Sequence, residues 1–148
     1  MNGEFTDEEQ YLMYKKMVME DGLLIRFILN KDWELAMLAV HQNPLALEYI
    51  VWQTDDLCLL AVRRNGMALK FVANQTLEIC LAAAYNNIAA LRYVRGDIML
   101  QYHEQFKGLE NAHIAECKRS KQRVVEQTDE LVRLAKGINI GNTLERRG

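Results

Sequence analysis

Proline is almost missing from this chain: Pro44 is the only one in 148 residues. No Ser- or Gly-rich tract interrupts the sequence, so a disordered linker is excluded and continuous secondary structure is expected. No run of about 18 apolar residues occurs, which excludes a membrane-spanning helix, and the acidic opening over residues 1–10 does not read as a signal peptide. No sign of charge dominates. Eighteen basic residues stand against twenty acidic ones, a net charge of −2, so no global field draws the chain to nucleic acid or to anionic lipid. Cysteine is scarce and odd in number. Cys58, Cys80 and Cys117, with no secretion signal, fit a reducing, cytoplasmic setting (the host cytoplasm, if the chain is viral).

Catalytic signatures are also lacking. There is no G-x-S-x-G, no phosphate-binding glycine loop and no Ser/His/Asp arrangement, and His41 and His103 have no nucleophile beside them in sequence. Cys58 and Cys80 are one period apart with no C-x-x-C spacing, so they read as small core residues. Glu110, His113 and Cys117 share about one helix face, yet a zinc site would still be short of its fourth ligand. The chain is therefore read as a non-enzyme with no metal and no cofactor.

What the sequence does contain is repetition. Residues 35–49, 57–71 and 79–93 match at an offset of 22, the mark of one supersecondary unit stacked on its own copies. In the middle copy Thr54 is placed to cap a helix, and Asp55 and Asp56 suit the positive end of its dipole. Leu57, Cys58, Leu60 and Ala61 form the apolar face, and Arg63 and Arg64 close the helix. Asn43 precedes Pro44 and so reads as the cap of a second helix, as do Asn65 and Asn87 by equivalence. The second helices are expected over residues 44–52, 66–73 and 88–94, with Ala46, Leu47, Tyr49 and Ile50 and their counterparts turned inward. Residues 11–29 form a divergent first copy, more polar on its outer face, as a terminal repeat must be.

The pattern stops near Gly96. Residues 97–136 read as one long helix or two, weakened at Gly108, and residues 137–148 as a flexible tail. The expected fold is all-α: a short solenoid of about four helical-hairpin repeats over residues 1–96, followed by a long C-terminal helix. The apolar stripe of that helix is thin, so it must pack on the last repeat or pair with another copy. Tyr102, Phe106, Leu109, Val124 and Leu131 are the candidates for a homo-oligomer contact.

The unit A-V-x-x-N-G-x-A-L-x-[F/Y], at residues 61–71, resembles a family of short tandem helical repeats found in bacterial and viral proteins and described only as a domain of unknown function. The likeness covers residues 32–95, with Pro44 and Ile88 in place of the glycine in the flanking copies. It implies a helical solenoid with no catalytic residues, similar to phage or effector accessory proteins that bind a host factor.

On this reading the chain is a non-catalytic protein-protein interaction module, an inhibitor or modulator that acts by occlusion or scaffolding. Solenoids bind along ladders of equivalent exposed positions, which here offer Arg63, Arg64, Met67, Lys70, Tyr85 and Arg92. Trp33 and Trp52 flank the first strong repeat, as binding anchors or as core. One alternative is a nucleic-acid accessory role through Lys118, Arg119, Lys121 and Arg123. No aromatic residue interleaves with that cluster, and residues 1–96 carry nine basic against twelve acidic side chains, which disfavours it. The other alternative is a purely structural assembly element.

Overall fold

The structure is a computed structural model that describes the backbone over residues 6–145 and the side chains over residues 6–137. Every regular element among the described residues is helical. Four α-helices, α1 (Asp7–Glu20), α2 (Trp33–Gln42), α3 (Asp55–Arg64) and α4 (Leu77–Asn86), alternate with four 3₁₀ helices, η1 (Gly22–Phe27), η2 (Pro44–Tyr49), η3 (Gly66–Phe71) and η4 (Ile88–Tyr93). Then come α5 (Gly96–Gln101) and α6 (His103–Glu145). The chain divides into two compact units, one through Leu109 and one from Glu110. From residue 138 on, the expected tail lies outside the described side chains, and residues 146–148 lie outside the described backbone.

Each of α1 to α4 starts on a side-chain cap. Thr6 and Glu9 form a reciprocal capping box, and Asp32, Thr54 and Thr76 accept from the backbone N–H groups of Leu35, Leu57 and Ile79 at 2.8, 3.3 and 3.3 Å. Each of the first three ends on a residue that also starts the following 3₁₀ helix, and so does α4. Asp21, Asn43, Asn65 and Asn87 donate their own N–H back into the α-helix, adopt extended backbone, and accept with the side chain from the N–H two residues on. No loop residue separates the two helices. The asparagine carbonyl then accepts from the third residue along, as Asn43 does from Ala46 at 2.9 Å. That bond seeds the tighter 3₁₀ winding.

This corrects the expected second helices. They are six-residue 3₁₀ turns, shorter than residues 44–52, 66–73 and 88–94. Ile50, Val72 and Val94 already lie in extended backbone as C-caps.

The core of the first unit is aliphatic and repeats with the sequence. Leu35, Leu57 and Ile79 are buried at one position, Ala39, Ala61 and Ala83 at another, and Ile25, Leu47, Leu69 and Leu91 at a third. Gly22 and Gly66 sit where a Cβ would run into the backbone carbonyl of Ala39 and of Ala83, so η1 touches α2, and η3 touches α4, backbone to backbone. Correspondingly α1 packs closely on α2 and α3 on α4, whereas α2 meets α3 more sparsely, at the step where Pro44 takes the glycine position.

The first unit does not end with the repeats. Ile98 of α5 and Phe106 of α6 join its core. Phe106 is 2% exposed, which corrects its assignment to an oligomer contact, because its own fold already uses the ring. Tyr102 and Leu109 are half-buried against the same core. Of that expected set, only Val124 and Leu131 are exposed.

Candidate interaction surface

The turn from each 3₁₀ helix into the next α-helix decides what reaches solvent. Ile28 and Ile50 plug the core as C-caps, and the chain then swings outward. The next residues, Leu29 and Val51, are 93% and 94% exposed. Beside them stand Trp33, the first residue of α2, and Trp52, just before α3. Their rings lie 6.2 Å apart at an angle of 39° and are 45% and 42% exposed. The tryptophans are thus surface residues that lean on each other and not core. A shallow groove runs between Leu29, Asn30, Lys31, Asp32, Tyr49, Val51 and Trp52. A second groove, lined by Asp7, Gln10, Tyr11 and Tyr14, shares Leu29 and Asn30 with it.

Acidic groups fix this edge. The Tyr11 hydroxyl donates to the Glu34 carboxylate at 2.8 Å, and the Lys15 ammonium meets the same carboxylate at 2.6 Å, tying α1 to α2. Hydrogen bonds from Lys15 and Tyr11 hold the Glu34 carboxyl below its usual range. Desolvation and the hydrogen bonds to Asp32 and Glu34 push the Tyr11 hydroxyl well above the ordinary tyrosine range. Glu34 is therefore ionised at neutral pH, and Lys15 offsets its charge.

The ladder residues read from the sequence divide. Arg63 and Tyr85 come together in one cleft with Glu78, Leu81, Ala82 and Asn86, where Arg63 pairs with Glu78 at 3.8 Å. Arg64 and Arg92 are exposed but outside that cleft. Lys70 lies over the ring of Phe71 at 4.4 Å, which ties it to its neighbour. Met67 is half-buried. The basic residues Lys118, Arg119, Lys121 and Arg123 are exposed along α6, and Arg119 is paired with Glu116 at 3.5 Å.

Cys58 and Cys80 are buried, and burial pushes both thiols up to about 11. Each thiol donates to a glutamine carbonyl, Gln53 at 3.6 Å and Gln75 at 3.7 Å. His113 Nε2 and Cys117 Sγ approach to 3.5 Å on α6, and no group of three His, Cys, Asp or Glu side chains is placed to hold a metal ion among the described residues.

Those glutamines are what the sequence reading overlooked. The Gln53 amide donates to the Phe71 carbonyl at 2.9 Å and to Ile50 at 3.1 Å, and its carbonyl accepts from Ala73 N–H at 2.9 Å. Gln75 repeats this toward Tyr93 at 2.8 Å and Arg95 at 2.8 Å. Each one fastens its own turn to the next, and so holds the outward swing of the chain. The signal was present as a Gln followed five residues later by Cys, recurring at the 22-residue offset. Leu29 and Val51 gave no such signal, since a lone aliphatic after a buried one looks like more core. Comparison of the chain with family models, with curated proteins and with solved structures finds no match.

Proposed function

We propose that the four α/3₁₀ units form a short α-solenoid that works as a non-catalytic protein-binding module, with the Trp33–Trp52 edge as its contact surface. The observation that carries this reading is the near-complete exposure of Leu29 and Val51 beside two half-exposed tryptophans. Such side chains cost solubility when left in water, and clustered apolar surface of this kind marks contact sites. Tryptophan is the richest anchor of binding energy in protein interfaces. Lys31 and Asp32 line the first groove and Asp7 the second, so the edge suits a partner segment that carries an apolar side chain flanked by polar or charged ones. Binding there would act by occlusion or scaffolding, since nothing in the surface calls for turnover. The Arg63–Tyr85 cleft offers a second, smaller contact.

The test is a double variant, Leu29→Glu with Val51→Glu. Both side chains already lie in water, so the thermal melt should stay within about 0.5 kcal/mol of the native chain. A protein captured by the native chain from its own cells should be lost with the variant. Capture of the same protein with equal affinity by both forms would remove this edge from the interface.

A further inference from the structure

The second unit carries a surface that the repeat edge does not explain. Ile114, Cys117, Lys121, Val124, Thr128, Leu131 and Ala135 alternate in steps of three and four along α6, with Val125 and Val132 beside them. That is a single seam about three heptads long. Ile114, Val124, Val125, Leu131 and Val132 are all exposed on it. Thr128 turns its hydroxyl back onto the Val124 carbonyl at 2.8 Å and so offers its methyl outward. The opposite face is satisfied within the helix. Glu116 pairs with Arg119 and Glu130 with Arg133, each at 3.5 Å, and from the flank the Gln122 amide donates back to Glu126 at 3.1 Å. Lys118, Lys121 and Asp129 make no ion pair with another described residue. These three lie within or beside the seam. Lys118 and Asp129 are eleven residues apart, about three full turns, so they occupy the same edge.

We infer that residues 114–135 pair antiparallel with the same segment of a second copy of this chain, crossing at Val124 and Val125. In that register Asp129 of one copy falls opposite Ser120 of the other, between Lys118 and Lys121. The arrangement is self-complementary about a two-fold axis. Lys118 and Lys121 of one copy then flank Asp129 of the other, while Arg119, Glu126 and Glu130 stay on the outer face. A parallel, in-register pair would instead set the basic block on its own copy. Lys121 within the seam costs stability and selects the register, as a single seam lysine does in coiled coils. The basic cluster is thereby assigned to self-recognition and not to phosphate.

The experiment uses the full chain in about 0.15 M salt, a screening length of about 8 Å. Light scattering should give twice the 17.1 kDa chain mass. D129K alone, and K118D with K121D, should each weaken the pair by at least about tenfold, and mixing the two variants should restore it. Orientation is read by oxidation. The register puts Cys117 of one copy opposite Val132 of the other, so V132C should yield a covalent dimer. The native chain should stay unlinked, because its two Cys117 sulfurs would be about 22 Å apart. A monomeric mass at about 0.1 mM, well above the Kd of a stable pair, overturns the inference. So do native chains linked through Cys117, charge variants of unchanged mass, and a monomer that uses the same lysines to bind duplex DNA in this salt.

Discussion

A glutamine amide is an economical fastener because it can donate and accept at once. Gln75 supplies a donor to the carbonyl of Tyr93 and an acceptor to the N–H of Arg95, both in the following turn, while accepting the Cys80 thiol from the helix it precedes. Removing it leaves a backbone carbonyl, a backbone N–H and a thiol without their partners. Gln75→Ala should therefore cost about 1–3 kcal/mol in urea unfolding, the scale set by stranded polar groups. A loss under about 0.5 kcal/mol would mean that water replaces the amide at no expense. The copy at residues 35–49 has Lys31 and Ala36 where later copies have Gln and Cys. Gln and Cys thus come and go together, which is why they were legible in retrospect but not in advance. A pattern search weighs apolar periodicity, and a half-buried glutamine carries none.

At the scale of the element, the asparagine junctions were readable and the winding after them was not. Asn43, Asn65 and Asn87 stand where the sequence put them, because capping is a local bond between a side chain and a nearby N–H. Whether the next turn is α or 3₁₀ depends on bonds to the fourth or the third residue. Both windings can turn Ala46, Leu47 and Ile50 inward. Glycine separates two further element-level effects with opposite sign. At Gly66 a Cβ would collide with the Ala83 carbonyl, so Gly66→Ala must push η3 off α4 and should cost about 1–3 kcal/mol. At Gly108, inside α6, nothing lies within 4 Å of the added Cβ, and alanine there should stabilise by about 0.5–1 kcal/mol. Chemical denaturation of the two variants side by side checks both. Equal signs would mean that the close approach of η3 and α4 is not what keeps the glycine.

For the whole molecule, the question is where the proposed stack of units would stop. A repeat leaves its last apolar face uncovered unless something unlike it closes the end. The N-terminal end is closed by α1, which buries Val18 and is tied to α2 through Glu34; its outer side is not the polar face the sequence suggested, since Leu12, Met13 and Met19 are exposed. The C-terminal end is closed by residues that belong to no repeat, Ile98 and Phe106. That closure was invisible to periodicity, which placed the end of the repeat domain at residue 96, just before the cap begins. The two possible ends make different molecules. A chain ended after Leu109 keeps both plugs and should melt within about 2 °C of the intact chain, when compared at concentrations too low for pairing. A chain ended after Arg95 loses two side chains worth about 1.5–3 kcal/mol each on burial and uncovers Leu91 as well. At about 4–8 °C per kcal/mol for a domain this small, its melting point should drop by more than about 10 °C. If both truncations melted alike, α5 and the first turns of α6 would be ornament on a finished stack, and Phe106 would again be available to a partner.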